Sequence, residues 1–352
     1  MPYIFIGTTG DRAGHSIITW ATARRLKDRG LKVGFMKPFG THPMNVGGLW
    51  TDCDAFLFKN VLNLQEPFDQ ICPYLLSEEA WRQKETREIR EGIKSLAKEL
   101  SFGKDILLIM GSEHIFFDDP SQPIADVSLV NELKADFVLI SRFRDTAKSI
   151  YSILSVSSLL KDRVKGIVLN RVPLEKGEEI SQKMIPSLLQ KGIPVITALP
   201  EDPVLSFRSL GEIRDILDGE VLWGKEGLGQ SVGGMTVGST DLKRELLVFK
   251  RAHNKIVLLK PFTPDGGAEE PAGHRSIAGI LLTGGRGPVP QLLQAAKKGN
   301  IPLILVKDDS FAVLERLEKS PSGLAPKDEC KVRHFTELMD RNGALDRLLQ
   351  FL

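Results

Sequence analysis

Cysteine is scarce: Cys53, Cys72 and Cys330 are the only three in 352 residues. They are scattered and odd in number, without metal-ligand spacing, so neither a disulfide framework nor a zinc site is expected to organise the fold. That usage suits a reduced, cytoplasmic protein. An excess of one charge is equally lacking. Lys and Arg total 47 against 45 Asp and Glu, a formal charge of +2. A balanced chain carries no electrostatic footprint for a nucleic acid or an anionic membrane, so neither is an expected partner. Long apolar runs are missing too. Runs such as Ile106–Met110 fall far short of the ~20 residues a membrane span requires. The opening shows no basic region followed by an apolar stretch and a small-residue cleavage site, so no secretory leader is expected. No repeat recurs at a solenoid period.

What is present is ordinary globular material, with 42% hydrophobic and 26% charged residues. At ~100–200 residues per domain the length predicts two domains. The first 200 residues alternate short Val-, Ile- and Leu-rich runs with longer amphipathic stretches. Strands are predicted at Tyr3–Ile6, Lys32–Met36, Asp105–Met110, Phe137–Ser141, Gly166–Asn170 and Pro194–Leu199. Their apolar character is continuous rather than alternating, which suits strands buried on both faces of a parallel sheet. Helices are predicted at Gly14–Arg29, Ser77–Leu100, Ala147–Leu160 and Ile180–Lys191. This order predicts a doubly wound α/β fold whose ligands bind at the carboxyl ends of the strands. The remainder reads as a second, smaller α/β unit. The join is expected near residues 205–215, giving domains of 1–210 and 211–352. The Pro- and Gly-rich stretch Pro261–Ser276 reads as a surface loop.

The first predicted strand runs into Gly7-Thr8-Thr9-Gly10-Asp11-Arg12-Ala13-Gly14-His15-Ser16 and then into a helix. This is the context of a phosphate-binding loop, where glycines let backbone N–H groups face phosphate oxygens and a helix N-terminus adds partial positive charge. The usual loop has four residues between its glycines and then Lys and Ser or Thr. Here six residues separate Gly7 from Gly14, and His15 takes the lysine position. A lysine extends a flexible, permanent cation, whereas a histidine is shorter and, with an ordinary pKa of ~6.5, mostly neutral at pH 7. Weak or pH-dependent nucleotide binding, or none, and inefficient phosphoryl transfer are therefore expected. Arg142 and Arg144 flank a strand end, where they would suit an anion or simply line the sheet's mouth. His42, His114 and the acidic run Glu113, Asp118 and Asp119 read by default as solvated loop residues.

Together these segments resemble the dethiobiotin synthetase-like P-loop proteins, most closely the branch fused to the N-terminus of long phosphotransacetylases. That branch has a longer loop, Gly-Ser/Thr-Thr-x-x-x-Ala-Gly-Lys-Ser/Asn, which Gly7–Ser16 matches in all but the lysine. Lys37-Pro38-Phe39-Gly40, Asp52-Cys53-Asp54-Ala55, Asn170-Arg171-Val172-Pro173 and Ala198-Leu199-Pro200-Glu201-Asp202 match later family segments. The second half resembles the companion DRTGG domain through Gly211-Glu212-Ile213, Val232-Gly233-Gly234-Met235 and Leu282-Thr283-Gly284-Gly285. The Asp-Arg-Thr-Gly-Gly itself is absent; Leu259–Gly267 stands in its place.

The resemblance implies ATP and magnesium as cofactors. Gly7, Thr8, Gly10, Gly14, His15 and Ser16 would hold the phosphates. Ser16 and Asp54 would hold the metal, Lys37 and Asp54 would be the working residues of any catalysis, and Asn170 would face the adenine. The family's acidic metal ligand at the end of the Asp105–Met110 strand is replaced by Met110, a neutral thioether where magnesium wants hard oxygen. Glu113, three residues on, is a candidate to compensate. With both the loop lysine and this acid missing, the expected function is a regulatory or sensor protein with little or no ATP hydrolysis. It would act through self-association as a homo-oligomer, or through an acetate-metabolism enzyme. The competing expectation is an ATP- and magnesium-dependent ligase acting on a small carboxylate. A ParA-like switch is a third, weaker alternative. At 352 residues the chain has no room for a transacetylase domain, which favours a module standing alone.

Overall fold

The structure, a computed structural model, describes residues 3–10, 13–77, 80–115, 122–202, 205, 207–239, 255–261, 277–319, 324–326, 328–341 and 343–350. The chain divides into two compact units, Met1–Asp202 with Gly323–Leu352, and Pro203–Ser322.

In the first unit, β1 (Tyr3–Thr8) leads to α1 (His15–Asp28) and β2 (Val33–Met36). Small elements follow: β3 (Phe39–Gly40), the hairpin β4 (Pro43–Val46) and β5 (Leu49–Asp52), α2 (Cys53–Leu62), α3 (Phe68–Ile71) and β6 (Tyr74–Leu75). Then come α4 (Thr86–Leu100), β7 (Ile106–Met110), α5 (Asp126–Glu132), β8 (Asp136–Arg142), α6 (Thr146–Leu160), β9 (Val164–Val172) and β10 (Val195–Pro200). Six strands form one sheet in the order β10-β9-β8-β1-β7-β2, with every pairing parallel. All six predicted strands are present. β7 is buried along its whole length, as its unbroken Ile-Leu-Leu-Ile-Met run requires between two helical layers. The chain leaves β1 toward β2 and leaves β8 toward β9, so a crevice opens between the ends of β1 and β8. In doubly wound sheets this switch point is where ligands bind.

Two predicted helices differ from expectation. The 77–100 helix begins only at Thr86, after a 3-10 turn at Ala80–Gln83, and buries Ile89, Ile93, Ala97 and Leu100. The 180–191 helix contains a π-helical turn, Ile180–Met184, before Ile185–Gln190. Pro186 has no N–H to donate into the preceding turn, so the regular ladder breaks there.

The second unit holds β11 (Arg208–Ser209), β12 (Glu220–Trp223), β13 (Ser231–Ser239), β14 (Lys255–Pro261), β15 (Gly279–Leu282) and β16 (Leu303–Leu305). Their order is β11-β13-β14-β15-β16-β12, antiparallel except for β15 with β16. Helix Leu210–Ile216 starts with a capping box. Ser209 Oγ accepts from Glu212 N at 3.2 Å, and Glu212 Oε2 accepts from Ser209 N at 2.6 Å. The Glu of Gly211-Glu212-Ile213 therefore fixes a helix start. Residues 262–267 of the segment replacing Asp-Arg-Thr-Gly-Gly lie outside the described residues, as do Asp118, Asp119 and most of the predicted loop Pro261–Ser276.

The last two helices, Glu329–Arg341 and Ala344–Gln350, were expected in a second domain of 211–352 but pack in the first unit. They bury Val332, Phe335, Met339, Leu345 and Leu348. Arg25 reaches Asp340 at 3.1 Å and Arg29 reaches Asp346 at 2.9 Å, tying them to α1. Helical periodicity shows that a face is buried but not which body covers it. Among the described residues no helix is long and apolar enough to cross a membrane.

Candidate functional site

The loop between β1 and α1 lies at the crevice. Gly14 adopts φ 94°, a left-handed conformation that favours glycine, and forms the N-cap of α1. A side chain there would also collide with the amide of Asn170. Asn170 is buried, and its Nδ2 donates to the Ala13 carbonyl at 2.7 Å. The residue expected to face adenine thus holds the loop's final turn against β9. At the loop's start, Gly7 packs against the Phe137 ring of β8, and Thr8 Oγ1 donates to the Glu113 carbonyl. Gly10 lies beside a guanidinium and an imidazole: a Cβ built there would lie 3.0 Å from Arg144 Nη2 and 3.4 Å from His114 Cε1. Arg144 follows β8 and so reaches the loop across the crevice. From sequence Arg144 is a candidate anion partner at a strand end, whereas His114 reads as a solvated loop residue, because only the strand order brings it to Gly10.

His15 does not extend past the loop. Its Nε2 lies 3.0 Å from the Ile6 carbonyl, so the ring is turned back onto β1 with Nε2–H donating. Burial lowers its pKa to about 4 against the opposing pull of Asp54, which leaves a neutral imidazole at pH 7.

Beside it, the first turn of α1 meets the end of β2 and the start of α2. Lys37 Nζ lies 2.9 Å from Asp52 Oδ1 and 2.7 Å from Asp54 Oδ2. Ser16 Oγ donates to Asp54 Oδ1 at 2.6 Å. Asp52 is the N-cap of α2: its Oδ1 accepts from Asp54 N at 2.8 Å and its Oδ2 from His42 N at 2.9 Å. Lys37 and Asp52 are only 2% and 0% exposed, so the ions are matched against each other rather than against water. Burial disfavours a charged lysine, but the two carboxylates outweigh it and hold Lys37 above the ordinary lysine range. Burial would raise Asp54, but the Lys37 ammonium and the Ser16 hydroxyl bring its carboxyl down to about 2. Burial and the flanking acids push the Cys53 thiol up to about 11, so it is no nucleophile at neutral pH.

The structure thus gathers Ser16, Lys37 and Asp54 and adds Asp52, whose capping position two residues before Asp54 was its sequence signal. Glu113 is turned to His42, with Oε1 3.6 Å from Nε2. Met110 is fully buried. Gly111 leaves room for Asp126, whose Oδ2 accepts from Ser112 N at 2.7 Å and from Ser112 Oγ at 2.9 Å. For the magnesium implied by the family, Ser16 and Asp54 offer hard oxygens, but a lysine ammonium already lies on the carboxylate. Among the described residues no group of three or more His, Cys, Asp or Glu is arranged to hold a metal ion. The residues present do not fit a divalent cation.

Comparison with known proteins agrees with this architecture. An AAA domain model (AAA_26) matches residues 3–209 and a DRTGG domain model matches 212–320. The phosphate acetyltransferase of Synechocystis sp. is 22% identical over 99% of this chain and 51% of its own length. The ATP-dependent dethiobiotin synthetase of Thermodesulfovibrio yellowstonii is 27% identical over 59% of this chain and 92% of its own. The chain spans about half the length of the phosphate acetyltransferases it matches. Among solved structures, the MinC:MinD complex of Aquifex aeolicus aligns with 58% of this chain and 84% of that one, at 15% identity and a TM-score of 0.37. With its P-loop-like turn at the switch point of a parallel sheet and a family model over residues 3–209, the chain belongs to the AAA domain family, dethiobiotin synthetase-like, joined to a DRTGG domain.

Proposed function

We propose that the protein is a regulatory or sensor module whose loop at Gly7–Ser16 binds a nucleotide and turns it over slowly or not at all. The observation that carries this reading is His15. At the position where a P-loop cation reaches the β- and γ-phosphates stands a neutral imidazole hydrogen-bonded back to Ile6. Binding keeps its support from the α1 N-terminus and from Arg144 and His114 beside Gly10. Transfer chemistry needs fixed positive charge where phosphate charge develops, and the loop's lysine position supplies none. A nucleotide then acts as a signal, read out through self-association or through an acetate-metabolism enzyme. A phosphate acetyltransferase is the natural candidate, since such proteins match this chain over about half their length. Calorimetric titration with ADP is expected to show binding that Gly14→Asp abolishes. His15→Lys is expected to raise ATP turnover above that of the native chain; an active native protein slowed by that change contradicts the reading.

The ligase alternative draws on one observation, the gathering of Ser16, Lys37 and Asp54 into one hydrogen-bonded, partly buried cluster. It predicts that a small carboxylate stimulates ATP consumption by the native chain and that Lys37→Met abolishes the stimulation.

A further inference from the structure

Every carboxylate oxygen of the Asp52–Asp54 pair already has a donor. Asp52 Oδ1 takes Lys37 Nζ and Asp54 N, and its Oδ2 takes His42 N. Asp54 Oδ1 takes the Ser16 hydroxyl, and its Oδ2 takes Lys37 Nζ at 2.7 Å. Magnesium demands near-octahedral oxygen ligands at about 2.0–2.1 Å and sheds water reluctantly. Each Asp54 oxygen keeps a second lone pair, but a magnesium ion on Oδ2 would share that oxygen with the Lys37 ammonium, which lies 2.7 Å from it. Lys37 has little room to leave. It follows β2 directly, its backbone N–H is bound to the Ile71 carbonyl at 2.8 Å, and its side chain is 3% exposed. Driving a divalent ion against that fixed ammonium sets like charges together where water screens them poorly.

We infer that the Lys37 ammonium is the resident cation of the Ser16–Asp54 pair, in place of a divalent metal, so that the site takes a phosphate-bearing ligand free of metal. An ammonium has three N–H donors, and the carboxylates account for two of them. The third is left for an anion arriving at the first turn of α1, where Ser16 stands. The ligand class, a nucleoside di- or triphosphate without its magnesium, rests on the proposed nucleotide-binding function. The identity of the cation does not.

Two measurements on the full chain separate these claims. In the first, thermal unfolding is followed with excess manganese or magnesium and again with EDTA. The native midpoint is expected not to move. Lys37→Met is expected to gain a metal-dependent rise of roughly 5 °C as the unpaired carboxylates recruit a cation. Lys37→Met, Asp52→Asn keeps one carboxylate beside Ser16, buries less unpaired charge, and is expected to respond in the same direction. A metal-dependent rise in the native chain that Asp54→Asn removes overturns the inference, as does a folded Lys37→Met or double variant with no response. In the second, ADP is titrated in EDTA and in excess magnesium, with equal or tighter binding expected in EDTA. Binding tighter by about tenfold or more with magnesium, roughly 1.4 kcal/mol, overturns the metal-free ligand. No ADP binding in either medium contradicts the nucleotide-binding reading, while the first measurement still decides which cation the site holds.

Discussion

In the first unit, six parallel strands and their helices keep Lys37, Asp52 and Asp126 almost wholly from water, whereas the polar side chains buried in the described part of the second unit are the hydroxyls of Thr283 and Ser310. A buried ion costs several kcal/mol of desolvation and persists only where partners are supplied. The first unit supplies them: Asp52 caps α2 while holding Lys37, and Asp126 binds Ser112 twice. The second unit is held by apolar packing of residues such as Leu281, Ile304 and Val313, and by helix caps such as Ser209 with Glu212. Apolar replacement commonly matches or exceeds the stability of a buried ion pair. Stability alone therefore does not account for the charge retained in the first unit, whereas apolar packing accounts for the described core of the second.

The largest break in this contrast is expected at Lys37. Without metal, Lys37→Met leaves Asp52 and Asp54 unpaired and should cost about 3–5 kcal/mol in urea unfolding. Next is Gly14→Ala, where a positive φ and the collision with Asn170 together should cost about 2–3 kcal/mol and weaken ADP binding. The third is a pH effect. His15 is held at about 4 when folded and returns to 6.5 when unfolded, so the unfolded chain binds more protons between those values. Its contribution is complete above pH 6.5 and is lost as pH falls toward 4. Discounted for the ring's partial exposure, it should be on the order of 1–2 kcal/mol. Urea unfolding free energies of the native chain should fall more steeply over that window than those of His15→Gln; equal slopes contradict the assignment. Smallest is a half-buried helix cap in the second unit. Asp309 Oδ1 accepts from Phe311 N and Ala312 N, each at 2.9 Å, and Asp309→Ala should cost ~1 kcal/mol without touching ADP binding.

The strands of the first sheet were legible because a parallel strand covered on both faces must be apolar throughout, and short Ile, Leu and Val runs have few other uses. The loop was legible for the same local reason, as a strand, a glycine-rich turn and a helix in succession. The hairpin β4–β5 was harder to see. Its Gly47-Gly48 turn, with φ 59° and 91°, is a two-residue hairpin signal, but Pro43-Met44-Asn45-Val46 does not alternate in polarity. Yet that hairpin delivers Asp52 to Lys37. The place of His114 at the loop and the body that the C-terminal helices join were illegible on other grounds. These come from strand order and from which body an apolar face meets, and neither leaves a mark on local spacing.

Phosphate release from ATP with excess magnesium, followed over many equivalents of the native chain, tests the central claim most directly. The account predicts little or no sustained release by the native chain and a faster rate on restoring the loop cation with His15→Lys. Release by the native chain as fast as or faster than by His15→Lys, and abolished by Gly14→Asp, would contradict it.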